Sequence, residues 1–193
     1  MPGLSIEARR ALLTVARSAV EAAVRGEPAP VFPPEARAGT VGDELAEPRG
    51  CFVTLKTRGR LRGCLGHFEA DAPARERVRE MARASALDDP RFAGDRIRPD
   101  ELGDVQIEVS VLHPREKVDD PLSIEIGRDG IYVRRGARAG CFLPQVATET
   151  GWTKEEFLSN CCSHKAGLAP DAWRDPDTEV LRFKAEVFGD GDE

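Results

Sequence analysis

The chain has 193 residues, and 28 Lys and Arg against 34 Asp and Glu give a formal net charge of −6. This length allows one domain or two small lobes, and a hydrophobic content of 40% excludes an intrinsically disordered chain. The acidic balance and an aromatic content of 6% argue against a nucleic-acid-binding groove. No apolar run approaches the roughly 20 residues that span a bilayer, and the N terminus lacks a signal-peptide pattern, so we expect a cytoplasmic protein without membrane contact.

The first predicted element is a helix over residues 6–25. Ser5 suits its N-cap, apolar side chains recur at three- and four-residue spacing, and Gly26 suits its C-terminal end. Residues 27–48 are rich in Pro, Ala and Gly, which predicts a surface connection without a helix or a central strand.

Two strands of a hairpin are predicted next, over residues 51–56 and 60–68. The intervening Thr57–Gly59 matches a three-residue loop with Gly in the left-handed position. In the register that this loop fixes, the apolar residues share one face, and Lys56, Arg62 and Cys64 share the other. A two-residue loop would pair Leu55 with Arg62 and mix the two faces, so the hydrophobic pattern favours three residues.

The remaining elements alternate between helix and strand. They are a helix from an Asp71 cap to about residue 87, a strand over 105–112, a hairpin joining 131–135 to 140–143, a helix from a Thr153 cap to about 165, and a strand over 180–188. This order favours an α+β fold with antiparallel sheets over a parallel βαβ series.

The second strand of the first hairpin carries the candidate chemistry. Gly63 and Gly66 remove side chains from a strand, which suggests that another group approaches its backbone. Arg62 and Lys56 would favour the thiolate form of Cys64, which is a nucleophile. The structural alternative is a small buried cysteine beside a bulge glycine.

Glu108 lies on the polar side of its predicted strand. If that strand joins the hairpin sheet, a pairing that the sequence does not fix, Glu108 would lie near Cys64 and Arg62 as a base or as the partner of the arginine. A zinc site could be assembled from Cys64, His67, Cys161, Cys162 and His164. On a strand, however, residues 64 and 67 point to opposite faces, and the two later cysteines fall on the inner face of a helix. We therefore predict no metal and no cofactor.

Five segments of the chain form a recognisable series. They are Leu-Arg-Gly-Cys-Leu-Gly (61–66), Asp-Pro-Arg-Phe (89–92), Ile-Glu-Val-Ser-Val-Leu (107–112), Phe-Leu-Pro-Gln-Val (142–146) and Gly-Trp (151–152). Together they resemble the AMMECR domain, called protein A of the AmmeMemoRadiSam system in bacteria, over nearly the whole chain. Leu65 and Cys141 are mild departures from the family pattern.

The resemblance implies a single α+β domain over residues 1–193 with two lobes. The smaller lobe would span about 48–113, and the larger would combine 1–47 with 114–188. Antiparallel sheets flanked by helices would leave a cleft between the lobes. Gly63, Gly66, Lys56 and Gln145 would line this cleft around the six-residue motif.

The resemblance supplies no reaction, and two functions are compatible with it. In the first, the protein is a component or adaptor that acts with a Memo-like protein and a radical SAM enzyme through the cleft. In the alternative, it is an enzyme that uses Cys64 as nucleophile or modified thiol on a small-molecule or peptide substrate. Arg62 would then bind an anion or stabilise the thiolate, and Glu108 would be the base. The first is favoured, because no complete nucleophile–base pair follows from the spacing.

Overall fold

The computed structural model describes residues 3–190 of the chain. The chain forms two compact units, one that runs up to Leu112 and resumes at Glu186, and one that spans His113–Ala185. Each unit contains a four-stranded sheet with helices, and the resolved strand pairings are antiparallel. The predicted α+β class is confirmed.

Within residues 3–190, the α-helices are α1 (Ile6–Arg25), α2 (Gly39–Ala46), α3 (Ala74–Leu87), α4 (Pro144–Thr150) and α5 (Lys154–Asn160). The strands are β1 (Cys51–Thr57), β2 (Arg60–His67), β3 (Val105–Leu112), β4 (Glu116–Lys117), β5 (Gly130–Arg135), β6 (Arg138–Phe142), β7 (Glu179–Phe183) and β8 (Ala185–Gly189). None of the helices in this part of the chain has the length and hydropathy that crossing a membrane requires.

The sheet of the first unit has the order β2-β1-β3-β8, and α1 and α3 pack together on it. Cys51, Val53 and Leu55 alternate along β1 and are fully buried in the core that these helices cover. Because α1 shares this core with β1 and β3, residues 6–25 belong to the same unit as the strands. The observed units therefore divide the chain at other points than the lobes that the resemblance implies.

Helix α1 has the predicted bounds and caps. The Ser5 hydroxyl accepts a hydrogen bond from the backbone N–H of Ala8 at 3.2 Å. Gly26 has a φ of 71° and donates its N–H back to the last turn. The three-and-four spacing of alanine and branched residues gives a narrow face that packs closely on the sheet.

Two expectations near the N-terminal half of the chain are wrong. Residues 27–48 contain the helix α2, because the prolines of this segment lie outside 39–46 and Gly42 and Leu45 are buried. Helix α3 begins after Pro73 rather than at an Asp71 cap, since the Asp71 carboxylate instead pairs with Arg77.

The strand predicted over residues 180–188 is two strands in two sheets. β7 lies in the second unit, between β4 and β5, and β8 extends the sheet of the first unit beyond β3. The chain leaves one ladder at Lys184 and enters the other. A period-two pattern continues across such a transfer, so it does not reveal the break.

The second unit has the strand order β4-β7-β5-β6 and a core between this sheet and α5. Thr153 and Glu156 form the capping box of α5, as the Thr153 cap predicts, and the helix continues through a π-helical turn over Cys161–Lys165. Cys161 and Cys162 are fully buried in this core, and burial raises the pKa of both thiols. Their interpretation as core residues is confirmed.

Candidate functional site

The β1–β2 hairpin has a two-residue loop, not the predicted three-residue loop. Arg58 and Gly59 have φ angles of 52° and 76°, the left-handed conformations that a type I′ turn requires. The ladder begins with Thr57 opposite Arg60 and Lys56 opposite Leu61, and β2 then has one extra residue, so that Leu55 lies opposite Gly63. A β-bulge thus restores the apolar alternation that the loop alone would have shifted.

Arg62 is the extra residue of this bulge and lies apart from the position predicted for it. Its side chain is 7% exposed, and its Nη1 donates to Oε1 of Glu101 at 2.9 Å while Nη2 donates to the Asp95 carbonyl at 3.2 Å. The hydrogen bond from Arg62 lowers the pKa of Glu101 to about 2. The prediction that Arg62 shares the face of Cys64 is wrong, because the bulge turns Arg62 toward residues 95–101.

The sheet places Cys64, Thr54 and Glu108 in one cross-strand row on β2, β1 and β3. The Thr54 hydroxyl donates to the Cys64 sulfur at 3.2 Å, and Lys56 Nζ lies 3.3 Å from Oε2 of Glu108. Leu61, opposite Lys56, is 38% exposed. We call these five residues the Cys64 face; it is the side of the sheet opposite α1 and α3.

The Cys64 backbone is held by side chains, because β2 is an edge strand with no neighbour on its outer side. The Asp89 carboxylate accepts the Cys64 N–H at 2.9 Å, and Arg91 Nη2 donates to the Cys64 carbonyl at 2.9 Å. Asp89 is 3% exposed, and its hydrogen bonds from Arg91 and from backbone N–H groups lower its pKa. Arg91, rather than Arg62, is therefore the arginine next to Cys64.

Gly63 is required by the close approach of helix α3. A Cβ atom at residue 63 would lie 2.0 Å from the backbone oxygen of Ser85. The Ser85 hydroxyl accepts the Leu65 N–H at 2.9 Å and donates to the Val53 carbonyl at 2.7 Å, so it bridges β2 and β1 beside the bulge. The predicted approach of another group to this backbone is confirmed, and that group is the end of α3.

Gly66 makes room for an aromatic ring. A Cβ atom there would lie 2.1 Å from the nearest atom of the Phe52 ring. Phe52 in turn packs edge-on against Phe68, with ring centroids 5.1 Å apart. Gly63 therefore lies against backbone, which cannot move easily, whereas Gly66 lies against a side chain that can rotate.

Gln145, one of the residues expected to line the cleft, belongs to the second unit, where it is the second residue of α4. Its Oε1 is buried and has no hydrogen-bond partner within residues 3–190. In the same part of the chain, no group of three or more His, Cys, Asp or Glu side chains could hold a metal ion.

Sequence reasoning missed four residues that shape this region: Thr54, Ser85, Asp89 and Arg91. Asp89 and Arg91 lie within the Asp-Pro-Arg-Phe segment (89–92), but nothing in their spacing relates them to residue 64. A short segment after a helix that contains Asp and Arg around a Pro is the kind of signal that could have indicated a partner for an edge strand.

Comparison with known proteins gives consistent matches. The AMMECR1 family model matches residues 13–188. A protein from Methanothermobacter thermautotrophicus is 44% identical over 191 residues, with 96% of this chain and 95% of the relative covered, and Protein MK0488 from Methanopyrus kandleri is 52% identical over 152 residues, with 75% and 72% covered. The crystal structure of an uncharacterized protein, PH0010 from Pyrococcus horikoshii, matches with a TM-score of 0.82 and 38% identity, covering 93% of this chain and 90% of that one.

The chain belongs to the AMMECR1 family. The AMMECR1 match runs from α1 to β8, so it includes the Cys64 face as well as the second unit. The resemblance drawn from the five segments is confirmed. None of these AMMECR1 relatives carries a name that states an activity or a partner.

Proposed function

We propose that this AMMECR1 protein is a binding component of a multiprotein system and that it contacts its partner through the Cys64 face. The partners are a Memo-like protein and a radical SAM enzyme, as the family resemblance implies. We place this system in the cytoplasm, where the five free cysteines would stay reduced.

One observation carries this proposal: polar groups of the Leu-Arg-Gly-Cys-Leu-Gly motif pair with side chains that hold β2 in place. The Arg62 guanidinium is paired with Glu101, and the Cys64 backbone is paired with Asp89 and Arg91. Arg62, the predicted thiolate-stabilising group, is turned away from the thiol. A motif used in this way produces a rigid, shaped surface rather than an acid–base pair.

The Cys64 face has the mixed character of a binding surface. Leu61 is an exposed apolar side chain, and Lys56 and Glu108 form an ion pair beside it with side chains 40% and 32% exposed. An apolar anchor next to charged side chains is typical of protein–protein interfaces. Because Asp89 and Arg91 already fix the backbone of β2 at Cys64, the strand also loses little conformational entropy on binding a partner.

The proposal is tested by measuring complex formation of the purified chain with the Memo-like protein and with the radical SAM enzyme. Leu61→Glu should weaken the complex at least about tenfold, because it places a charge in the apolar part of the face. Ile6→Glu is the matched control, since Ile6 is 63% exposed on α1, which packs on the other side of the sheet. No complex with either protein at micromolar concentration, or equal affinities for the two variants, would overturn the proposal.

The alternative function is thiol chemistry at Cys64, and one observation favours it. Cys64 is half-buried, its sulfur accepts a hydrogen bond from Thr54, and Arg91 donates to its backbone carbonyl. A cysteine thiol that reagents can reach is a nucleophile in its thiolate form. This function requires that Cys64→Ala abolish activity while complex formation stays intact; full activity of that variant would exclude it.

A further inference from the structure

A polar cavity of about 320 Å³ lies in the first unit, at the tip of the β1–β2 hairpin. It is formed by the ends of β1 and β2 and by the segment that leads into β3. Its wall contains four arginine and three carboxylate side chains together with Thr57. We propose that this cavity binds the oxyanion group of a small molecule, a phosphoryl group above all. The proposal is independent of the partner proteins.

The carboxylates of the cavity wall are already occupied by arginines. Arg58 Nη2 lies 2.7 Å from Asp104, Arg62 Nη1 lies 2.9 Å from Glu101, and the third pair joins Arg98 to Asp100. These three ion pairs involve three of the four arginines of the wall. The wall residues therefore carry one more positive than negative charge, while Asp95, outside the wall, also lies 3.6 Å from Arg62 Nη2. A cation would find every carboxylate of the wall already paired with an arginine.

The remaining charge is that of Arg60. This side chain is exposed, lines the cavity, and has no ion-pair or hydrogen-bond partner within residues 3–190. Its planar guanidinium presents paired donors whose spacing matches two oxygens of a phosphate or carboxylate. The free arginine at the rim therefore favours an oxyanion over a neutral ligand.

Two buried donors in the wall also lack acceptors. The Thr57 hydroxyl and the Arg62 Nε have no hydrogen-bond partner, although these side chains are only 9% and 7% exposed. Buried polar groups in folded proteins are nearly always paired, so each such group calls for a partner. Both groups can donate, and an oxyanion supplies only acceptors; because both atoms are buried, the two side chains must turn toward the cavity to pair with it.

The size of the cavity limits the ligand. A volume of 320 Å³ falls at the lower end of the range of small-molecule pockets, about 300–1,000 Å³. This volume is larger than a single phosphate ion, so it leaves room for a small polar group attached to the phosphoryl group. Free phosphate and a small phosphorylated metabolite share the chemistry that the wall recognises.

The test is a titration of the full chain, followed by NMR, with inorganic phosphate and separately with glycerol 3-phosphate, each at constant ionic strength set with NaCl. Saturable shifts at the hairpin tip and at residues 98–104 are expected below about 10 mM ligand. Tighter binding of glycerol 3-phosphate supports a phosphorylated small molecule, and equal binding supports free phosphate.

Arg60→Gln should weaken this binding about tenfold, because a charge-assisted hydrogen bond is lost. Thr57→Val, which keeps the side-chain shape, should weaken it by a smaller factor. Arg10→Gln removes the same charge from an exposed position on α1 and should leave the affinity unchanged. Shifts that do not saturate, or an affinity that is the same in Arg60→Gln as in Arg10→Gln, would overturn the proposal.

Discussion

The two sides of β2 differ in what their residues do. On the side that meets α3, Gly63 lies against backbone and Arg62 is buried in an ion pair. On the Cys64 face, Leu61 is exposed, and Cys64 is half-buried with a hydrogen bond from the Thr54 hydroxyl to its sulfur. One strand of eight residues therefore combines a side under tight steric control with a side that can change at little cost to stability.

This difference explains why a strand contains two glycines and a buried arginine within six residues. The bulge, the two glycines and the buried arginine fix the path of an edge strand, which would otherwise present unpaired backbone groups. Asp89 and Arg91 take the place of a neighbouring strand at Cys64. We therefore expect substitutions on the packed side to reduce stability and substitutions on the Cys64 face to alter binding.

Gly63→Ala should have the largest effect on stability. Its Cβ would meet the Ser85 backbone oxygen at 2.0 Å, and a backbone atom at the end of α3 cannot move without displacing the helix. We expect a loss of about 3 kcal/mol in the free energy of unfolding, measured by urea denaturation. Gly94→Ala, which meets no atom within 4 Å, is the control and should change it little. Equal stabilities for the two variants would show that α3 does not constrain the strand.

Asp89→Asn should come next, with a loss of about 2 kcal/mol. Asn retains the shape of the side chain, but it lacks the charge that binds Arg91 and the N–H of Cys64, and the site is 3% exposed. The neighbouring Asp88→Asn removes a surface ion pair with Arg83 and should cost under about 0.5 kcal/mol. An equal loss in the free energy of unfolding for Asp88→Asn and Asp89→Asn would show that the Asp89 contact with the edge strand does not stabilise the fold specifically.

Gly66→Ala should cost less than Gly63→Ala, about 1 kcal/mol. The added Cβ meets the Phe52 ring at 2.1 Å, and that ring can rotate away where a backbone oxygen cannot. Thermal denaturation of the two alanine variants measures the difference directly. The order of their midpoints is the decisive result, and a lower midpoint for Gly66→Ala contradicts the distinction between the two sides.

The smallest expected effect is a pH dependence from Glu101. Arg62 lowers the pKa of this carboxyl from 4.5 to about 2, so the folded state favours the charged form. Its contribution to stability is present above about pH 4.5 and is lost as the pH falls toward 2. The difference in unfolding free energy between the wild type and Glu101→Gln should therefore shrink over this range. A difference that grows on acidification would reverse the assigned sign.

The sequence predicts much of this fold because its strongest signals are local. Ser5 and Gly26 define the ends of α1, and the alternation over residues 105–112 defines β3. These features depend on neighbours along the chain, which a sequence displays directly.

The register of the motif strand was predicted wrongly for a physical reason. Without a bulge, only a three-residue loop agrees with the hydrophobic pattern, whereas a two-residue turn followed by a bulge agrees with it equally well. The partners of Arg62 and Cys64 come from residues 89–101, and tertiary packing alone brings that segment to β2. The Cys64 face retained Lys56 and Glu108 as predicted, since alternation on a single strand does not depend on the turn.

The most direct test of the central claim is the function of Cys64→Ala in a strain that lacks the native gene, with Leu61→Glu compared in the same strain. If the protein acts as a binding component through the Cys64 face, Cys64→Ala should restore the phenotype and Leu61→Glu should not. If Cys64→Ala fails to restore it while the purified variant still forms the complex at wild-type affinity, the thiol itself carries the function and the account is contradicted.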